Sequence, residues 1–307
     1  MDCHKHFYMG PFLLLPRKIN WLLSQVNFKK IVAFCLLLFA VSYSQFSYAT
    51  IFHVRAGASS ANLGTSWSNA CGDLQLIINN AAAGDTIWVS AGTYIPNRAA
   101  NNITVIAPTS DRNRAFVLKN GVKILGGFPS LANPTLTERN WQTNATILNG
   151  DLLENDGVNF GNYTDNAYHV VVSAGVDSTT IIDGFTIRGG STNTTNDSII
   201  VNGNWVRTSR GAGWINVSGS PTLSNLIINE NRAANNNGGG VYNQAGNPKL
   251  TNTRICGNQA IAGGGFYNLS GNPSLQNVLF NGNSANNGGG WFNGGGNPTL
   301  TNATFSG

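Results

Sequence analysis

From Gly211 onward the apolar and polar positions of the chain recur as columns. Four segments align, GAGWIN (211–216), GGGVYN (238–243), GGGFYN (263–268) and GGGWFN (288–293), at spacings of 27, 25 and 25 residues. Each leads to a proline (Pro221, Pro248, Pro273, Pro298) that opens the pattern P-x-L-x-N-x-x-Φ-x-x-N, with Φ large and apolar. The Leu column is Leu223, Leu250, Leu275 and Leu300, and the first Asn column is Asn225, Asn252, Asn277 and Asn302. The Φ column is Ile228, Ile255, Phe280 and Phe305, and the last Asn column is Asn231, Asn258 and Asn283. Leu223 and Ile228 are an odd number of residues apart, so they cannot share one face of a straight strand. A corner at the Asn restarts the alternation. Leu226, Thr253, Val278 and Ala303 then point inward with the Φ column, while Ile227, Arg254, Leu279 and Thr304 point outward. A fixed period of this length predicts a solenoid, and short strands joined by tight corners predict a parallel β-helix.

Stacking explains the column chemistry. Equivalent residues of successive coils lie about 4.8 Å apart, so each apolar column forms a continuous stack, worth roughly 1.5–3 kcal/mol per buried side chain. Asn columns are expected to form amide ladders between coils and to occupy left-handed corners that β-branched residues resist. The Gly triplets allow turns where a Cβ would clash. Other solenoids fit less well. The leucine-rich pattern holds only in the first copy, because Leu226 becomes Thr253, Val278 and Ala303, and the aspartates of a calcium-binding roll do not follow the triplets. Helical repeats are excluded by the Gly, Asn and Pro density, and a phosphate loop by the lack of a following Lys-Ser/Thr.

Upstream, residues 71–94 read CGDLQLIINNAAAGDTIWVSAGTY. Leu74, Ile77, Ile78 and Ala81 are spaced for one face of a short helix ended by Gly84-Asp85, and TIWVSAGTY reads as a buried strand. A helix placed before the first strand would cover the open end of the stack. Further apolar strands are expected at 116–118, 122–125, 146–148, 169–173 and 181–187. Polar insertions near 96–113, 151–167 and 191–209 are expected on the outside, where specificity usually resides.

Residues 31–40, IVAFCLLLFA, follow Lys29 and Lys30 and precede Ser47-Tyr48-Ala49, a secretory signal pattern with cleavage after Ala49. Ten residues as a helix cover about 15 Å, half a bilayer core, so no transmembrane helix is expected in the mature chain. Residues 1–25 are unusual ahead of such a peptide, and a true start near Val26 is an expectation. At the other end the chain stops in mid-coil at Gly307, so the native protein is expected to continue. The leader also changes the charge. The whole chain is +5, with 18 Lys+Arg and 13 Asp+Glu. Residues 1–49 hold five of those bases and one acid, leaving 13 − 12 = +1, which removes the electrostatic argument for nucleic acid. Charged residues make up 10% of the chain, against about 25% in ordinary domains, as stacked neutral columns require. Cys71 and Cys256 remain, too far apart in sequence to argue a disulfide.

The stretch TSWSNACGDLQLIINNAAAGDTIWVSAGTY (65–94) resembles the N-terminal cap of pectate lyase-like β-helix proteins, and IIDGFTIRGG (181–190) is similar to a recurrent coil of that superfamily. The later repeats resemble those of polymorphic outer-membrane proteins, with GGG for their GGA and Phe280-Asn281-Gly282-Asn283 matching FxxN; Ile228–Asn231 and Ile255–Asn258 match with Ile for Phe. The resemblance implies an all-β, right-handed parallel β-helix over residues 50–307, with a short N-terminal capping helix and regular repeats at 211–307. It also implies a secreted or cell-surface, outer-membrane-associated protein that serves as an adhesin or carbohydrate-binding module, with polysaccharide or a cell surface as partner.

The alternative is a polysaccharide lyase, which needs Ca²⁺ held by carboxylates and a basic proton abstractor; otherwise no cofactor or metal is expected. Lyase candidates are Asp177, Asp183 and Arg188, although Asp183 in IDGFTI reads more simply as a corner residue. A glycosidase pair would draw on Asp151, Glu154, Asp156 and Asp165, a stretch that otherwise reads as a solvated loop. The repeat region holds one acid, Glu230. His169 reads as a packed histidine, and His53 is uninformative. Trp214 and Trp291 sit in the repeat register and are expected to pack within coils. Trp205 lies in an insertion and is the better ligand candidate.

Overall fold

Residues 49–194 and 197–307 are described by a computed structural model; the expected leader, apart from Ala49, lies outside them. Parallel strands stack in register along the chain. The Leu column extends upstream through Ile182, Ile124, Ile87 and Phe52, each paired with its successor. The Φ column extends through Ile187, Leu148 and Tyr94. The triplets lead into a third stack, Phe116–Val171–Trp214–Val241–Phe266–Trp291. The protein is an all-β parallel β-helix whose core is one run of buried side chains from Val54 to Phe280.

The corners follow the predicted chemistry. Asn225, Asn252, Asn277 and Asn302 are left-handed, with φ between 50° and 55°. Their side chains form a ladder, Asn252 Nδ2 donating to Asn225 Oδ1 at 3.4 Å, and Asn277 and Asn302 repeating the contact at 3.1 Å. A second ladder, Asn231–Asn258–Asn283, is enclosed and links Nδ2 to Oδ1 at 3.0 Å. A third, Asn216–Asn243–Asn268–Asn293, is buried through Asn268 and ends at an exposed Asn293, with 2.7 Å contacts. The last Gly of each of the first three triplets makes room for the second ladder. A Cβ on Gly213 would meet Asn231 Nδ2 at 2.7 Å, and one on Gly240 would meet Asn258 Nδ2 at 3.0 Å.

Two elements differ from the sequence reading. A strand, Ile51–Val54, precedes the helix and pairs with Thr86–Ser90, so the helix lies between the first two strands. Its IFHV pattern is too short to show a period. The helix spans Leu74–Asn80, capped by Asp73 Oδ1, which accepts from Leu76 N at 2.9 Å, and buries Leu74, Ile77 and Ile78. TIWVSAGTY divides into Thr86–Ser90 and Gly92–Tyr94, since the chain turns at Ala91 and Gly92. The insertion at 191–209 is no simple loop. Ser191–Thr192 joins a separate sheet with Arg232–Asn237 and Gln259–Ala262, and Ser198–Val201 pairs antiparallel with Asn204–Arg207. Cys71 and Cys256 are free thiols. Among the described residues no helix is long and apolar enough to cross a membrane.

Candidate functional site

The lyase candidates occupy three separate environments. Asp183 terminates the exposed Asn ladder. Its carboxylate pairs with Arg139 and accepts from Ser224 Oγ at 2.5 Å and from Asn225 Nδ2 at 3.1 Å, which is the corner role. Asp177 caps an exposed turn, accepting from Thr179 N at 2.9 Å and Asn120 Nδ2 at 3.1 Å; the Thr179 bonds hold its carboxyl below the usual range. Arg188 alone lines a large cleft, where its Nη1 lies 3.8 Å from Glu230 Oε2.

That cleft, of about 670 Å³, is built mainly from the 151–167 insertion and lined by Asp151, Glu154, Asp156, Phe160, Tyr163, Arg188 and Glu230. Apolar Leu152 and Tyr163 bury themselves against the coil and pin the insertion at both ends. Asp151 organises the loop between, accepting from Asn155 N at 3.2 Å and Asp156 N at 3.0 Å. Gly157 N donates to Gly161 O at 2.9 Å, closing a tight turn. Glu154, Asn159, Phe160 and Asn162 all have positive φ, 53° to 61°, and for Phe160 this is a costly backbone state. The Phe160 and Tyr163 rings meet edge to face at 5.1 Å, and Tyr163 donates its hydroxyl to Glu230 O at 3.1 Å.

The electrostatics centre on Asp156. Burial pushes its carboxyl up to about 7, and nearby Asp151 and Asp165 push in the same direction. The Asn166 amide, donating from Nδ2 to Oδ2 at 3.0 Å, and Arg188 oppose the shift. Near neutral pH this carboxyl can therefore give or take a proton, or be drawn into its charged form by a bound cation. Among the described residues no group of three or more His, Cys, Asp or Glu is positioned to hold a metal ion.

Trp205, the predicted ligand contact, projects from the hairpin at 63% exposure opposite Ile200 at 51%. A shallower, mostly apolar groove of about 450 Å³ runs beside the hairpin past Ile103, Val117, Val176 and Asn202, but Trp205 does not line it. Trp214 and Trp291 pack inside. Trp214 Nε1 donates to Ser173 Oγ at 2.8 Å, and Trp291 stacks on Phe266 at 4.5 Å. The aromatic column Tyr242–Tyr267–Phe292 stacks face to face at 5.3 and 4.9 Å, so the faces between successive rings are taken. His169 is buried, its Nδ1 2.9 Å from Gly211 O, and burial lowers it to about 4. His53 packs edge-on against Trp67 and Trp88.

The sequence offered the four insertion carboxylates only as an alternative to a solvated loop; Asp151, Glu154 and Asp156 line the cleft, Asp165 does not, and Phe160, Tyr163 and Glu230 were missed as their neighbours. Glu230 carried a visible signal. It occupies a left-handed position (φ 53°) that later coils fill with Gly257 and Gly282, so a charged side chain stands where the repeat uses glycine. Compared with known protein families, curated proteins and solved structures, the chain matches none.

Proposed function

We propose that the protein is an exported, surface-displayed β-helix that binds carbohydrate through the cleft formed by residues 151–163, Arg188 and Glu230. The observation that carries this reading is the cleft's composition: carboxylates, amide-rich loop backbone, one guanidinium and two aromatic rings, held on a rigid stack. Its volume suits a sugar unit or two, and its backbone strain is of the kind concentrated at ligand sites. The repeat columns and the capping sequence also support a distant kinship with pectate lyase-like β-helices carrying repeats of the polymorphic outer-membrane type, and the leader pattern supports export.

Lyase action on acidic polysaccharide is disfavoured by the local charge. Four carboxylates (Asp151, Glu154, Asp156, Glu230) face one guanidinium in the lining, so a polyuronate would meet net repulsion. Calorimetry against a panel of neutral, amino and acidic oligosaccharides tests the reading. Binding that Phe160→Ala weakens and Trp205→Ala leaves unchanged supports it, and no binding to any glycan overturns it. Turnover of polygalacturonate with Ca²⁺, abolished by Arg188→Ala, would establish the lyase instead.

A further inference from the structure

We propose that the tip of the insertion, residues 153–162, is a pH-sensitive latch: a protonated Asp156 holds it against Asn166, and ionisation of that carboxyl releases it. The device belongs to the loop itself and does not depend on carbohydrate binding. Leu152 and Tyr163 anchor the segment at its ends, but between Leu153 and Asn159 every residue except Asp156 is exposed. Asp156 is tied down by the wholly buried Asn166, whose Nδ2 donates to Asp156 Oδ2 at 3.0 Å and to Gly189 O at 2.7 Å. Among the described residues, the other hydrogen bonds of 153–159 stay within 151–162. Phe160 adds ring contacts to Tyr163 and to the Arg232 guanidinium. One carboxyl therefore provides the hydrogen-bonded fastening of the tip to the stack.

That fastening is short of donors. Asp156 Oδ1 is enclosed and accepts from none, and Oδ1 of the Asn166 amide and Oδ2 of Asp165 are likewise enclosed without partners. An ionised Asp156 adds charge to this donor-poor corner, which is costly, whereas a protonated one carries an O–H donor of its own. The titratable groups around it are Asp151 on its own loop, Tyr163 and Asp165 at the loop's end, and Arg188 and Glu230 from the coils, so three other carboxylates face one guanidinium. Burial foremost, then Asp151 and Asp165, holds the docked carboxyl at about 7 against the opposing pull of Asn166 and Arg188, while in water it returns to about 3.9. The docked tip thus binds the proton more tightly. Docking has full strength below about pH 4 and weakens as pH rises to about 7, by roughly a thousandfold in its equilibrium. The left-handed backbone at Glu154, Asn159, Phe160 and Asn162 persists only while its surroundings fix it, so release also loosens the bonds within the tip.

The test is hydrogen–deuterium exchange of the full chain at pH 5 and pH 8, corrected for the intrinsic exchange rate and read by mass spectrometry. Peptides covering 153–162 are expected to lose roughly tenfold or more of their protection at pH 8, while those covering Lys249–Cys256 keep theirs. Asp156→Asn, close to isosteric and unable to ionise, is expected to abolish the difference, and Glu154→Gln, at the exposed rim, to preserve it. Carboxyl carbon NMR of the unsubstituted chain supplies a second reading, with the Asp156 midpoint expected above pH 6. Protection of the tip that is the same at both pH values, a response retained by Asp156→Asn or lost in Glu154→Gln, or an Asp156 midpoint below pH 5 overturns the proposal. None of these results bears on whether the cleft binds a glycan, which calorimetry decides separately.

Discussion

Two asparagines in the same coil, Asn252 and Asn258, should differ severalfold in their contribution to stability. Asn258 is 1% exposed, and its side chain joins three coils. Its Nδ2 reaches Asn283 Oδ1 at 3.0 Å, Ile228 O at 2.8 Å and Cys256 O at 3.2 Å, while Oδ1 accepts from Asn231 N at 3.1 Å and Asn231 Nδ2 at 3.0 Å. Asn258→Ala deletes all five contacts and leaves the buried Asn231 N–H without this acceptor. A stranded buried group costs about 1–3 kcal/mol and each lost bond about 0.5–1.5 kcal/mol net, so with partial compensation the loss is about 3–5 kcal/mol. Asn252 is exposed, with only the ladder bonds to Asn225 and Asn277 and a φ of 50°. Asn252→Ala costs mainly the left-handed preference, about 1 kcal/mol, and Asn252→Gly should be nearly neutral. Urea unfolding followed by far-ultraviolet circular dichroism reads both. Equal losses at 252 and 258, or a loss below about 1 kcal/mol at 258, would refute the claim that the enclosed ladder is a main stabilising element of the stack.

Other outcomes follow from single sites. His169 stays neutral in the fold down to about pH 4, whereas in the unfolded chain it takes a proton near 6.5. Stability is therefore retained above pH 6.5 and falls as pH drops from 6.5 to 4, by about 3 kcal/mol in total; His169→Asn, which keeps a donor near Gly211 O, should flatten that part of the profile relative to the parent chain. Gly271 has φ 93°, and a Cβ there would lie 2.1 Å from Gly246 O, so Gly271→Ala should cost more than about 3 kcal/mol and lower the yield of folded protein. Glu230→Gly replaces a strained residue with the one the later coils use and should change stability by less than about 1 kcal/mol, because the gained backbone ease offsets an exposed ion pair. The same change removes a cleft carboxylate and should weaken glycan binding in calorimetry.

The repeat made the second half of the fold legible. The column of Leu223, Leu250, Leu275 and Leu300 and the corner asparagines needed only spacing to be placed, because each coil repeats the environment of its neighbour. Upstream, Ile124 and Ile182 occupy the same column, but insertions of unequal length hide the period, so single strands could be predicted without their register. The strand Ile51–Val54 and the outer sheet through Arg232–Asn237 and Gln259–Ala262 escaped because their residues are short runs or polar. For the site, composition located the carboxylates of 151–167 but could not show that the loop folds back over Arg188 and Glu230. That contact joins residues about twenty-five to eighty positions apart, through Tyr163 and the stacking of two coils. Asp183 illustrates the converse. A motif-like carboxylate proved to be the end of an Asn ladder, tied to Arg139 and Ser224.

Carbohydrate binding at the 151–167 cleft is tested most directly by a crystal structure of the full chain with the tightest-binding oligosaccharide of the calorimetry panel. The account predicts a sugar ring in the cleft lined by Asp151, Glu154, Arg188 and Glu230, with its apolar face toward Phe160. Sugar seated on Trp205 and Ile200 of the hairpin with the cleft left empty would contradict it.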